Sequence, residues 1–421
     1  VWTRRLAFVA GLTGLVEALA ITLGAGLGAL SGATLAAVFC ALAAPVFVDA
    51  ALALLRPLED TLAERHVKEA ADLLARVNPQ VVAITGSYGK TTTKNYLAYF
   101  LGGDRNVVAS PRSFNNRAGL TRTVKEHLSA NTEVLIAEMG AYGPGEIAAL
   151  CEWLRPEIAV ITSIGPAHLE RFGTLDRTLA AKAEITAGAR VVVLNVDDSR
   201  LEGLAKSLDS THKVIRASGE DPSADVAVLA HGGGLQLITS GKPNGLAELA
   251  PGSPAPIRTN AACAAAVAIE LGIAPETVAT RLGTLPGVPN RLQAHRAEGG
   301  YCVLDDTFNS NPAGARHAIE ALASAAPAGR RMVVTPGMVE LGKSQREENA
   351  AFAEIASKSA TDLVVVGRTN RAALVEGWHR GHLAQAVKLV EKREQAVQWA
   401  RSQLGPDDAV LFENDLPDHF S

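Results

Sequence analysis

The 421-residue chain is short of cysteine and of net charge, and each shortage removes a class of protein. Four cysteines, Cys40, Cys151, Cys263 and Cys302, stand singly with no Cys-x-x-Cys pair. A zinc ribbon and a disulfide framework therefore both lack support, and a reducing compartment fits. Lys and Arg total 40 against 44 Asp and Glu, a net charge of -4, so no overall positive field exists to gather nucleic acid. With 48% hydrophobic and 20% charged residues, and 38 Gly and 20 Pro spread along the length, the chain is neither disordered, collagen-like nor a coiled coil. No internal repeat or low-complexity linker is visible. Domains usually run about 100 to 200 residues, so two or three are expected.

What the chain does have is one long apolar run. From Leu6 to Leu55 the acidic and basic side chains are limited to Glu17 and Asp49. A span needs about 20 apolar residues, and Leu6 to Leu30 and Ala33 to Leu55 each reach that length around Ser31-Gly32. Arg4 and Arg5 precede the first stretch and Arg56 follows the second, so the positive-inside bias puts both ends in the cytosol. The pattern predicts a transmembrane helical hairpin over residues 1–57 in the inner (cytoplasmic) membrane. Glu17 opposes it, at about 2.5 to 3.5 kcal/mol for a mid-span charge. A buried hairpin of a soluble protein, or one that docks a partner subunit, is the competing reading. Thr3-Arg4-Arg5 loosely resembles an export signal, but the apolar stretch far exceeds the h-region of about 7 to 15 residues.

After Pro57 the sequence turns charged and amphipathic, which predicts a connector helix over 58–77. Short apolar runs then alternate with helical stretches. The runs are Val81 to Thr85, Val134 to Met139, Ile158 to Ile164, Val191 to Val196, Cys302 to Asp305, Met332 to Thr335, Leu363 to Val366 and Ala409 to Phe412. This alternation implies α/β domains with parallel sheets. A change of character at Gly287-Val288-Pro289 divides the body into a central P-loop ATPase domain, 78–289, and a C-terminal Rossmann-like domain, 290–421.

The strongest chemical signal is Thr85-Gly86-Ser87-Tyr88-Gly89-Lys90-Thr91-Thr92, between a strand and the helical run Thr93 to Leu101. Strand, glycine loop and helix present backbone N–H groups to phosphate oxygens. Lys90 supplies charge for the β/γ-phosphates and the Thr91 hydroxyl can bind Mg²⁺, so Gly86, Ser87, Gly89, Lys90, Thr91 and Thr92 are candidate ATP-binding residues. Two residues separate the glycines here, where the usual P-loop has four.

That shorter loop resembles the form found in the Mur ligase family, and further segments in chain order are similar to it. They are Asn115-Asn116-Arg117-Ala118-Gly119, Glu138-Met139-Gly140, Ile161 to Gly173 with its Gly165-Pro166-Ala167-His168, Lys182-Ala183-Glu184-Ile185, Asn195-Val196-Asp197-Asp198, Asn260-Ala261-Ala262, Asn290-Arg291-Leu292 and Asp305 to Pro312. The resemblance spans roughly residues 78–350. It implies an ADP-producing ligase that activates a carboxylate as an acyl phosphate, which an amine then attacks. Thr91 and Glu138 would hold one Mg²⁺, and His168 with a carbamylated Lys182 a second, making Lys90, His168 and Lys182 the catalytic set. Asn260 would contact adenine, with a helix N-cap as its alternative role, and Arg291 and Asp306 would reach ATP. Asn115, Asn116, Asn309 and Asn311 are candidate substrate contacts.

Two segments depart from the family pattern. Thr335 to Gly342 lacks an aspartate before Met338, and Glu413-Asn414-Asp415 replaces a Lys-Gly-Ser segment. Membrane-like helices also occupy the place of a soluble UDP-sugar domain. The sequence therefore predicts a membrane-tethered ligase with its catalytic domains in the cytosol, acting on a small-molecule or lipid-linked carboxylate of a cell-envelope precursor and an amine. The alternative within the family adds D-alanyl-D-alanine to soluble UDP-N-acetylmuramoyl-tripeptide. An alternative of another class is a membrane-anchored nucleotide switch or transport ATPase, which would have no use for His168 and Lys182 as a metal pair.

Overall fold

The computed structural model describes residues 4–249, 256–287, 292–307, 311–381 and 387–416. The chain divides into two compact units, Val1–Asp72 and Leu73–Ser421.

The first unit is helical. Helix α1 runs Arg4–Val77 and continues through Pro45 and Pro57. Its apolar part doubles back: Cys40 Sγ lies 4.0 Å from the Glu17 carbonyl oxygen, although 23 residues of straight helix would separate them by about 35 Å. The arms meet through small residues. A Cβ on Gly32 would fall 2.1 Å from the Gly24 carbonyl oxygen, and one on Gly24 2.7 Å from the Ala36 Cβ. Val9, Thr13, Cys40 and Ala51 are buried, while Phe8, Leu15, Leu19, Leu23, Leu35, Phe39, Leu42, Val46 and Leu54 face outward. Leu6–Gly26 and Thr34–Val77 are each long and apolar enough to cross a membrane, by length and composition alone.

The second unit holds two sheets. The first contains β1 (Gln80–Thr85), β2 (Val107–Ala109), β3 (Val134–Glu138), β4 (Ile158–Ile161), β5 (Val191–Asn195), β6 (Lys213–Ser218), β7 (Val226–His231), β8 (Gly234–Thr239) and β9 (Lys242–Glu248). Their spatial order is β2-β3-β1-β4-β5-β6-β7-β8-β9, parallel through β7 and antiparallel at the last two pairings. Strands β1, β3, β4 and β5 are apolar runs buried on both faces, as parallel strands covered by helices must be. Helix α2 (Lys90–Leu101) buries Leu97, Phe100 and Leu101, and the Ala-rich helix Arg258–Glu270 packs in the same core. The small residues of that second helix let it pack tightly.

The second sheet contains β10 (Gln293–Arg296), β11 (Cys302–Asp306), β12 (Arg331–Thr335), β13 (Asp362–Val366), β14 (Val387–Val390) and β15 (Ala409–Glu413), in the order β10-β11-β15-β12-β13-β14. Among the described residues only β10 is antiparallel to its neighbour. In each sheet the chain reverses its direction of travel beside a central strand, β1 in the first and β15 in the second. In open α/β sheets ligands bind at the carboxyl ends of strands at such points.

Candidate active site

The P-loop leaves β1 at Thr85 and enters α2 through Gly86 at φ 151° and Gly89 at φ 81°. A Cβ at Gly86 would sit 2.0 Å from Thr162 Oγ1, and one at Gly89 2.4 Å from Asn260 Oδ1, so only glycine allows either approach. The segment after β4 braces the loop. Ser87 N donates to the Ser163 carbonyl at 2.9 Å, Tyr88 N donates to Ser163 Oγ at 2.9 Å, and the Thr162 hydroxyl donates to the Tyr88 carbonyl. Gly165 N donates to Ser87 Oγ at 2.9 Å, so the Ser87 side chain is engaged in holding the loop. Thr92 is buried within the turn that follows.

Lys90 opens α2, and its ammonium donates to the Gly86 carbonyl at 2.7 Å and the Ser87 carbonyl at 3.3 Å. The Thr91 hydroxyl donates to Glu138 Oε2 at 2.9 Å, and Asn115 Nδ2 donates to Glu138 Oε1 at 3.3 Å. Glu138 also receives a residue that the motifs did not single out. Lys94 Nζ lies 3.0 Å from Glu138 Oε2 and donates to the Arg112 carbonyl at 2.7 Å, with both side chains of the ion pair 2% exposed. Lys94 is four residues beyond Lys90, one helical turn, and that spacing was the available signal. Burial raises the Glu138 carboxyl, but the Lys94 and Lys90 charges and the hydrogen bonds from Lys94 and Thr91 outweigh it, so the group stays ionised below the usual glutamate range.

His168 and Lys182 lie around the same loop. His168 precedes the short helix Leu169–Phe172 in a left-handed conformation, φ 56°, with its Nδ1 2.6 Å from Glu340 Oε2. Burial and the Lys90 and Lys182 charges lower its affinity for a proton, against an opposing pull from Glu340. Lys182, on the helix Leu175–Ala183, is buried beside the Phe172 ring, its Nζ 6.0 Å from the ring centroid. Burial first, and the Lys90 charge second, bring its amine down to about 7. A substantial share is then neutral at neutral pH, the form that can take up CO₂ as a carbamate.

Other predicted residues have local duties. Asn116 Oδ1 accepts the Gly119 N–H at 2.9 Å and caps helix α3 (Arg117–His127), and Asn311 Oδ1 accepts the Gly314 N–H at 2.9 Å and caps Pro312–Ala325. Asn260 is not a cap: its helix begins at Arg258, and its buried amide lies against Gly89. Asp306 ends β11 opposite Glu413 and accepts the Leu292 N–H at 3.1 Å. Arg291 and Asn309 lie outside the described residues. Among the described residues no three His, Cys, Asp or Glu side chains gather as a metal site. The donors are instead one carboxylate, one hydroxyl and one imidazole beside a phosphate-binding loop, a set that fits Mg²⁺ completed by phosphate oxygens and water.

At the carboxyl edge of the second sheet, the segments Thr335 to Gly342 and Glu413 to Asp415 touch each other. The Thr335 hydroxyl donates to Glu413 Oε2 at 2.5 Å, Asn414 Nδ2 donates to the Gly337 carbonyl at 2.6 Å, and Asn414 N donates to the Asp306 carbonyl at 3.1 Å. Burial, reinforced by Asp306, pushes the Glu413 carboxyl up to about 8 against the Thr335 hydrogen bond. A cavity of about 590 Å³ opens beside the start of the helix Arg258–Glu270, lined by Glu220, His231, Arg258 and Thr259 from the first sheet's half and His317 and Glu320 from the second's.

Two family models match the chain, the Mur ligase middle domain over residues 84–268 and the Mur ligase, glutamate ligase domain over residues 290–413. The UDP-N-acetylmuramoyl-tripeptide--D-alanyl-D-alanine ligase of Mycobacterium tuberculosis is 35% identical over 364 residues, covering 79% of this chain and 70% of the relative. The enzyme of the same name from Escherichia coli is 30% identical over 362 residues, covering 81% and 78%. The crystal structure of MurF ligase from Thermotoga maritima in complex with ADP superposes with a TM-score of 0.71 at 25% identity, over 84% of this chain and 80% of that one. Matched by two models of the family over most of its catalytic part, and similar in sequence and fold to these enzymes, the chain belongs to the Mur ligase family of ATP-dependent, amide-forming ligases of peptidoglycan synthesis.

Proposed function

We propose that this ligase joins D-alanyl-D-alanine to the free carboxylate of a muramoyl-tripeptide, the pair of substrates in its relatives' names. The observation that carries the reading is the convergence of Lys90, the Thr91–Glu138 pair, His168 and Lys182 on one phosphate-binding loop. A nucleotide switch needs the first three. It has no use for a buried lysine with a lowered pKa beside a histidine.

Carboxylate and amine do not condense in water, because hydroxide is a poor leaving group. Attack of a carboxylate oxygen on the γ-phosphorus of ATP breaks the bond to ADP and makes an acyl phosphate. The amine nitrogen then attacks the acyl carbon, loses a proton, and expels phosphate as the amide forms. Catalysis of such a transfer is mostly placement and charge neutralisation. Lys90 at the helix N-terminus supplies fixed positive charge, and the loop N–H groups fix the phosphates. Ionised Glu138 and the Thr91 hydroxyl would hold one Mg²⁺ through oxygen, and His168 through an imidazole nitrogen with Lys182, as its carbamate, would hold another. Bound there, the ions would neutralise the phosphoryl oxygens as charge builds. Lys94 holds Glu138 in place and in its ionised form. The cavity of about 590 Å³ has room for a nucleoside, and we assign it to the base and ribose of ATP. A division of the catalytic part near residue 289 belongs to the same proposal, with one site served from both sheets.

A second reading concerns where the carboxylate is presented. In the hairpin, large apolar side chains face outward and glycine, alanine, threonine and cysteine face inward. Small residues at the seam and large ones outside are how helices pack in lipid, where burying apolar surface against protein gains nothing. This supports a membrane hairpin at the cytoplasmic face and a lipid-linked muropeptide as an additional substrate.

The test is ADP release by the purified full chain in detergent with ATP and Mg²⁺. Turnover should require both UDP-N-acetylmuramoyl-tripeptide and D-alanyl-D-alanine, with the amide product seen by mass spectrometry. Turnover with the lipid-linked muropeptide alone would favour the second reading, and ADP release without either substrate would favour a switch.

A further inference from the structure

His168 and Glu340 are 172 residues apart in the chain and meet at 2.6 Å, one from the loop after β4 and the other from the loop after β12. Both are held in the left-handed region, φ 56° and φ 63°, where non-glycine residues are uncommon. The surroundings fix each side. The Tyr142 ring stands edge-on to the imidazole, centroids 4.8 Å apart, and Arg171 lies 4.6 Å from the centroid of that ring. Glu340 is carried between two fully buried anchors, Met338 and Leu341, and Met338 is clamped by Asn349 through hydrogen bonds of 2.8 and 2.9 Å. The loops abut closely: a Cβ on Gly342 would lie 3.5 Å from the Glu170 nitrogen.

Stability does not explain so constrained a pair. The side chains are 26% and 38% exposed, and such ion pairs contribute about 0 to 1 kcal/mol. Its effect on the imidazole is more specific. A carboxylate can only accept, so the proton of a neutral His168 belongs on Nδ1 and the lone pair on Nε2. A carboxylate behind the far nitrogen of a histidine is also the usual support of a metal-ligating imidazole. We propose that Glu340 is a positioning residue which, from the second sheet's half, fixes the Nδ1–H tautomer and ring orientation of His168 so that Nε2 is the metal-binding nitrogen. This rests on the reading of His168 as a ligand of the second metal. It makes that site complete only when the loop after β12 is docked.

The experiment uses the full chain in detergent, labelled with ¹⁵N-histidine, in wild-type, Glu340→Gln and Glu340→Ala forms. Long-range ¹H–¹⁵N spectra, with His168→Asn for assignment, report the tautomer without any metal. Electron paramagnetic resonance then counts bound Mn²⁺ with a non-hydrolysable ATP analogue. Expected are an Nδ1–H tautomer in wild type and Glu340→Gln, a shift towards Nε2–H in Glu340→Ala, and two Mn²⁺ in wild type. The weaker Mn²⁺ should lose about 10- to 100-fold in affinity in Glu340→Ala and only a few-fold in Glu340→Gln. An Nε2–H tautomer in wild type, unchanged Mn²⁺ binding in Glu340→Ala, or parallel loss of nucleotide and both ions would overturn the proposal. A single Mn²⁺ in wild type with the Nδ1–H tautomer present would instead refute the two-metal reading, and the role of Glu340 with it.

Discussion

The carboxyl edges of the two sheets are built from similar residues and arranged for opposite ends. At the first, Lys90 and Lys94 act on one ionised carboxylate, Glu138, so positive charge exceeds negative where phosphates belong. At the second, Glu413 is fully buried and answered by a neutral hydroxyl, with Asp306 nearby, and it keeps its proton. The first edge is an electrostatic device that awaits an anion, and the second is a hydrogen-bond frame satisfied within itself. Reaction chemistry tolerates little change in the former. In the latter the contacts are made between two segments distant in the chain: Glu413 with Thr335, Asn414 with Gly337.

The sharpest way to break the contrast is to remove charge at the first edge. Lys90→Ala should lower kcat by about 10³- to 10⁵-fold, the loss typical of removing a cation from a transferring phosphoryl group. Lys182→Ala should fall as far while keeping ADP affinity within about tenfold, and a small added carboxylate should restore part of its turnover. Steady-state ADP release and nucleotide titration distinguish the two. Next in size is the buried pair. Lys94→Met leaves Glu138 short of its main partner and should cost about 3 to 5 kcal/mol in urea unfolding, whereas Lys94→Met with Glu138→Gln should cost less than Lys94→Met alone.

The last effect belongs to the second edge and depends on pH. Glu413 binds its proton more tightly folded, at about 8, than unfolded, at 4.5, so its contribution is fully present below 4.5 and is lost as pH rises through 8. Glu413→Gln should flatten the decline in thermal stability across that window and gain most, relative to wild type, above pH 8. An unchanged slope would mean that Glu413 is ionised in the folded protein.

The strands that carry the first edge were legible because parallel strands buried on both faces read as plain apolar runs, as in Val134–Glu138 and Val191–Asn195. The apolar run Ile158 to Ile164 exceeds its strand by three residues, since after Ile161 the chain leaves the ladder and Thr162 and Ser163 turn to brace the P-loop. Strands β6 to β9, β10 and β14 gave no such signal. Of these, β6, β9, β10 and β14 are partly exposed and mix charge with apolar residues, β9 contains both Pro243 and Gly245, and β7 ends at His231 and β8 begins at Gly234 around a tight glycine turn. Of the site, the loop and its glycines could be read directly. For Lys94 the one-turn spacing from Lys90 was a hint too weak to act on, because a lysine on a helix looks solvated until its burial is known, and the meeting of His168 with Glu340 is a fact of tertiary structure alone.

The hairpin seam sets unequal rules for how this sequence can change over generations. Any side chain at Gly32 would collide with the Gly24 carbonyl, and any at Gly24 would collide with Ala36, so those positions can accept almost nothing new. Leu15, Leu23, Leu42 and Leu54 point away from the protein, and one bulky apolar residue there serves as well as another. Among descendants of this chain the outer face should diverge quickly while the glycines persist, leaving two conserved small residues in an otherwise drifting apolar segment.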